Sequence, residues 1–253
     1  MEFSFWQALA VGLWAAFCII DLKSLKIVMA TRPLIAAFGA GLILGDVKLG
    51  LQVGALVELM AMGVWNYGGA PIPDYAVGSI LGVAFGIASG QGFEASLALA
   101  IPLALVLTYF DVLAMTVNTF IQHRSDPLAA DGDANGLDRL HNWGFLVWGL
   151  SRFIPAFLGV WFGPSIANVV LGFMPEWLMG GIKVAGGLFP ALGIAMLLRM
   201  LPTKRFFGFL LIGFVLAAYF KVSIIGSALV GLGLALVVRY IGAREQRADD
   251  LAA

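Results

Sequence analysis

The chain has 253 residues, of which 61% are hydrophobic and 12% charged, and its 15 acidic and 15 basic side chains balance at pH 7. Soluble domains carry about 25% charged residues, so a mean hydropathy of +0.96 excludes water as the solvent for most of this surface. Zero net charge excludes the basic footprint of a nucleic-acid binder, and a lone cysteine, Cys18, excludes an internal disulfide or a cysteine-cluster metal site.

Crossing the hydrocarbon takes about 20 apolar residues in a helix. Residues 5–20 form the first such run; Glu2 stands where a leader would carry Lys or Arg, so the run is read as a retained span. A polar link with Asp21, Lys23, Lys26 and Arg32 follows. Residues 33–63 are apolar but interrupted by Gly39, Gly41, Gly45, Asp46, Lys48, Gly50, Gly54 and Glu58, a pattern expected of a re-entrant hairpin. Two prolines and paired glycines in Asn66-Tyr67-Gly68-Gly69-Ala70-Pro71-Ile72-Pro73-Asp74 then rule out a continuing helix. Runs at 77–88 and 93–121 give further membrane segments, and the hydrophilic stretch 122–142, with Asp126, Asp131, Asp133 and Asp138, is expected to be a central loop. Segments at 143–162, 179–201, 206–220 and 222–241 complete the second half, ahead of a polar, frayed tail at 243–253.

Basic residues near segment ends set the orientation. Arg124 and Arg139, then Arg199, Lys204 and Arg205, then Arg239, Arg244 and Arg247 fall on one side if Lys221 tips a closing hairpin. The central loop and the C-terminus are therefore placed in the cytoplasm and the N-terminus outside. The expected class is an all-α polytopic membrane protein, a single integral domain over 1–253 in which transmembrane helices are combined with re-entrant, Gly-broken elements. No internal repeat is evident.

Charge inside an apolar run costs about 2.5–3.5 kcal/mol per residue on insertion scales, so such residues ask for a reason. Asp46 and Lys48 fit a turn between short helices as well as they fit a site. Glu58 lies mid-run with no turn residue beside it and favours a polar cavity. The irregular backbone after it is tolerated at membrane depth only when buried in protein or lining water. Glu58, Asp74, Asn66 and free backbone N–H and C=O groups together offer the donors and acceptors that adjacent sugar hydroxyls need. Trp65 and Tyr67 fit an interfacial belt at least as well as a ring-stacking role. Asp111 is read either as a polar relay or as a buried partner for Arg152 or Lys183. His123 and His141 are read as solvated loop residues. No Walker loop, zinc-ligand set, nucleophile elbow or dinucleotide fingerprint is present, so neither a catalytic site nor a cofactor or metal is expected.

Arg32-Pro33-Leu34, Gly45-Asp46-x-Lys48-x-Gly50, Gly54-Ala-x-x-Glu58-Leu and the Asn66 to Asp74 string resemble the IIC component of mannose/fructose/sorbose-family phosphotransferase permeases. Gln122-His123, Ser151-Arg152-x-x-Pro155-Ala156, Pro175-Glu176 and Gly186-Gly187 extend the resemblance over essentially the whole chain. It implies a multi-pass subunit of the bacterial inner membrane, paired with a IID subunit in a trimer of heterodimers. It also implies an elevator-like movement and passage of a hexose or hexosamine inward for phosphorylation by IIB, itself charged by IIA. Sugar contacts implied for this chain are Glu58, Asn66, Gly68 and Gly69, with Asp74 nearby. For Asp46 and Lys48 the choice between sugar contact and hairpin support stays open, as does Trp65. The competing reading of the same carboxylates is a proton- or sodium-coupled secondary transporter, which usually shows a paired repeat. An intramembrane enzyme lacks a nucleophile–base or metal pair, and a purely structural subunit gives no reason to bury Glu58, Asn66 and Asp74 together.

Overall fold

The computed structural model describes residues 3–62, 64, 72–173, a scatter of positions between 177 and 202, and 206–252. They divide into two compact units, Met1–Leu197 and Leu198–Ala253.

In the first unit, α1 (Phe5–Ile20) opens with a reciprocal cap: Gln7 N–H donates to Ser4 Oγ at 3.2 Å, and Ser4 N–H donates to Gln7 Oε1 at 2.9 Å. The helix unwinds into one π turn, Asp21–Leu25, closed by Lys26 in the left-handed region at φ 50°. Asp21, 1% exposed, accepts backbone N–H groups from Ile27 (2.9 Å), Val28 (3.2 Å) and Ala30 (2.8 Å). Its carboxylate thus supplies the partners that an irregular backbone otherwise lacks.

Helix α2 (Pro33–Leu44) starts on a proline, whose missing N–H costs nothing in a first turn. It ends at Gly45, φ 90°, and Asp46 at once caps α3 (Val47–Ala61) by accepting from Leu49 N–H at 2.9 Å. At 1.5 Å per residue these helices are roughly 18 and 22 Å long, each short of the ~30 Å hydrocarbon core. Glycine lets them touch: a Cβ on Gly50 would stand 2.6 Å from Ala37 O, and one on Gly54 2.9 Å from Pro33 O. The Trp14 indole N–H of α1 donates to Ala36 O at 2.9 Å, pinning α1 to α2.

Helix α4 (Tyr75–Ser89) lies at the centre, with twelve of its fifteen residues buried; a helix apolar on every side belongs there. Gly78, Gly82 and Gly86 form a stripe along it. A Cβ on each would come within 2.6 Å of Ala100 O, Ser96 O and Gly92 O, so α4 meets the start of the α5 helix (Phe93–Ala130) backbone to backbone. Across α4, Leu81 and Phe85 press on Gly159 and Gly163 of α6 (Ala134–Phe173). Helix α1 packs on α6 through Phe5, Phe157 and Trp161, and the π turn after it places Lys23 Nζ 4.1 Å above the Trp148 ring.

Helices α5 and α6 have 38 and 40 residues, roughly 57 and 60 Å, about twice the hydrocarbon thickness. This corrects the expectation of a loop at 122–142: these residues are helical except for a turn at 131–133. Hydrophilicity there does not end the helices. The chain reverses at Gly132, φ 72°, and Asp133 Oδ1 accepts Gly136 N–H at 2.9 Å to start α6.

The second unit holds α7 (Phe207–Ala218) and α8 (Ile224–Ala252), joined at Lys221, φ 50°. Lys221 is at the hairpin tip, the position assumed for it when the basic clusters were assigned to one side. The tail expected to fray is helical to Ala252, in keeping with its Ala, Arg, Glu and Gln content. Most of the segment expected at 179–201 falls outside the described residues.

Candidate functional site

Three of the acidic residues singled out by the sequence meet different fates, and packing decides which. Glu58 is on the last turn of α3, beside the start of α2. Its Oε1 is 3.4 Å from Arg32 Nη1 and its Oε2 accepts Leu34 N–H at 3.4 Å. Both contacts are long for charge-assisted bonds, which favour 2.7–2.9 Å. With the Glu58 side chain 20% exposed and Arg32 46% exposed, this carboxylate is loosely held and reachable.

Asp74 is the opposite case. Its Oδ1 caps α4 by accepting Val77 N–H at 3.0 Å, its Oδ2 pairs with Arg152 Nε, and its backbone N–H donates to Ala104 O at 3.0 Å. Arg152, 2% exposed, reaches with Nη2 to Asp111 Oδ1 at 2.5 Å and with Nη1 to Ser151 Oγ at 3.1 Å. The question about Asp111 thereby resolves to Arg152, and Lys183 lies outside the described residues. A guanidinium taken out of water needs paired carboxylates, and its fork suits two of them. The Asp74–Arg152–Asp111 group joins the start of α4, the middle of α5 and α6.

Asp46 caps α3 at the α2–α3 turn, and Lys48 is exposed and makes no ion pair among the described residues. Ten residues of helix, about 15 Å, separate Lys48 from Glu58, so the turn pair and Glu58 do not converge. Trp65, Asn66, Gly68 and Gly69 lie outside the described residues. His123 Nδ1 is 3.9 Å from Asp126 Oδ2 near the exposed end of α5, and His141 meets the Phe145 ring edge-on at 4.6 Å. A groove of about 740 Å³ between the outer halves of α5 and α6 is lined by Asn118, Gln122, Ser125, His141 and Trp148 among others. It is separate from both carboxylate clusters.

Arg32 as the partner of Glu58, and Arg152 as the partner of Asp74, were not visible in the pattern of residues. For Arg152 the available signal was arithmetic: an arginine inside an apolar run calls for a carboxylate from another run, though its identity follows only from packing.

Helices Phe93–Ala130 and Ala134–Gly163 and the run Phe5–Leu25 are long and apolar enough to span a bilayer. Together with the glycine seams and the charges paired between apolar helices, they define a multi-pass helical membrane protein. A family model described as the PTS system sorbose-specific IIC component matches residues 5–237. The sorbose-specific EIIC component of Klebsiella pneumoniae is 32% identical over 254 residues, covering 100% of this chain and 95% of that protein. A solved membrane protein superposes with TM-score 0.81 at 30% identity, covering 95% of this chain and 97% of the other. A chain from the cryo-EM structure of the mannose transporter ManYZ in complex with microcin E492 superposes with TM-score 0.60 at 28% identity, over 95% and 97%. The chain belongs to the sorbose-specific IIC family of phosphotransferase-system permeases and is a mannose-family IIC transport subunit, multi-pass in the bacterial inner membrane.

Proposed function

We propose that this subunit binds a hexose or hexosamine through Glu58, Asn66, Gly68, Gly69 and Asp74, with Trp65 beside the ring, and delivers it to the cytoplasmic side. The observation that carries the reading is the state of Glu58. A carboxylate in an apolar protein, held among the described residues by two 3.4 Å contacts, keeps lone pairs for hydroxyl donors. Asp46 and Lys48 act as hairpin support rather than as sugar contacts, in line with the cap at Leu49 and the distance along α3. The short α2–α3 pair enters and leaves the membrane on one side, and the whole chain works as one translocation domain. The α5–α6 tip at 122–142 and the tail at 243–253 lie in the cytoplasm.

The subunit has no catalytic residues of its own; a IID subunit completes the path, and the phosphoryl group reaches the sugar from IIA through IIB. A trimer of IIC–IID heterodimers, embedded in lipid and moving the site in an elevator-like way, is the expected assembly. Phosphorylation makes uptake one-way, since a doubly charged product fits neither a neutral-sugar site nor lipid. The sorbose name of one relative and the mannose name of a structural neighbour are compatible with a hexose and do not choose among hexoses.

The test is uptake of labelled hexoses and hexosamines by cells expressing this chain with its IID partner, with and without phosphorylated IIB, for wild type and Glu58→Gln. Accumulation of sugar phosphate that requires IIB and drops at least tenfold in Glu58→Gln, about 1.4 kcal/mol or more, is the expected result. IIB-independent uptake abolished by a protonophore refutes it in favour of a proton-coupled carrier.

A further inference from the structure

Arg152 is recruited by two carboxylates, although one would neutralise it. Its Nε pairs with Asp74 and its Nη2 with Asp111, from a side chain only 2% exposed. A guanidinium is a planar fork, so the direction of one edge fixes the other. Asp111, on α5, thereby sets how the guanidinium lies, and the guanidinium sets where Asp74 Oδ2 lies. The cap to Val77 N–H holds the other oxygen, leaving the carboxylate no free rotation. Among the described residues, two carboxylates face one cation. Asp74 therefore remains a strong acceptor despite its pairing, with lone pairs beyond those used by Val77 and Arg152, and its side chain retains 11% exposure.

We propose that Arg152 is a positioning residue for the sugar site: oriented by Asp111, it holds the Asp74 carboxylate at the angle from which it accepts a substrate hydroxyl. The proposal rests on the assignment of Asp74 to that site. Lysine in its place keeps the charge in the membrane but offers a compact ammonium instead of a fork, so it separates aim from charge.

The experiment measures half-saturation and maximal rate of IIB-dependent sugar uptake for the complex carrying Arg152→Lys, Asp74→Asn and both, with membrane abundance quantified for each. Arg152→Lys is expected to raise the half-saturation concentration about tenfold at near-normal abundance, since small misplacements of a positioned group carry costs of this size or more. The double variant is expected to fall within about twofold of Asp74→Asn alone, because residues acting through one another are not additive. Independent effects that multiply overturn the proposal. If Asp74→Asn leaves no measurable uptake, Asp111→Asn takes its place. A raised half-saturation at unchanged abundance then supports the role, and reduced abundance with unchanged half-saturation overturns it. Wild type run alongside separates the two readings. Uptake indifferent to IIB sinks the proposed function, whereas IIB-dependent uptake with multiplying effects sinks only the role of Arg152.

Discussion

Replacing Gly82 by alanine adds one methyl group at the middle of the α4–α5 seam. It would meet Ser96 O at 2.6 Å and the Ala100 Cβ at 2.8 Å. Even the close C–H···O contacts of packed helices run at about 3.3–3.6 Å, so the helices must part by roughly 0.7 Å or more. The obstacle is a carbonyl on the neighbouring backbone, which cannot rotate aside as a long side chain would. Parting also loosens the flanking contacts at Gly78 and Gly86, because the three lie on one stripe. Overpacking of this kind costs about 1–3 kcal/mol. The usual gain of alanine over glycine in a helix, about 1 kcal/mol, counts for less when the denatured state in detergent is still helical. Gly231 of α8, with nothing within 4 Å of its added Cβ, is the matched control. Unfolding of the purified complex in mixed micelles, followed by tryptophan fluorescence, should place Gly82→Ala about 1–3 kcal/mol below wild type and Gly231→Ala level with it or above. A Gly82→Ala protein as stable as the control would refute the claim that backbone contact limits this seam.

Asp21→Ala leaves the N–H groups of Ile27, Val28 and Ala30 without their acceptor; with charged-group hydrogen bonds worth about 1.5–3 kcal/mol each before relaxation and water, the link should open locally. Faster tryptic cleavage at Lys23 or Lys26 with little change in global unfolding is the expected readout. Asp133→Ala removes the cap of α6 at an exposed turn and should cost about 1 kcal/mol, seen as faster amide hydrogen exchange over 134–138 with IIB-dependent sugar uptake retained.

The membrane class was legible because bilayer thickness imposes run lengths that composition records directly. Phe5–Ile20 emerges with the boundaries expected of it, and α4 extends the run read at 77–88 by a turn at most. The tip of α5–α6 was not legible as helix, because polarity was taken to end helices when it ended only the apolar environment; Gly132 was the true break. Asp46 showed its two readings openly, and the cap to Leu49 distinguishes the local one. Asp74 was legible as important and not as paired, since Arg152 approaches it across three helices and no local spacing encodes that meeting. Glu58 stood out from its neighbours, but its arginine lies 26 residues earlier, at the start of another helix.

The glycine stripe of α4 also has a bearing on leakage. Where two backbones lie so close that a methyl group has no room, neither a lipid chain nor a file of water fits between them. The α4–α5 boundary is therefore sealed along three successive turns, from Gly78 to Gly86. A solute path through this subunit therefore does not run between α4 and α5 at this seam.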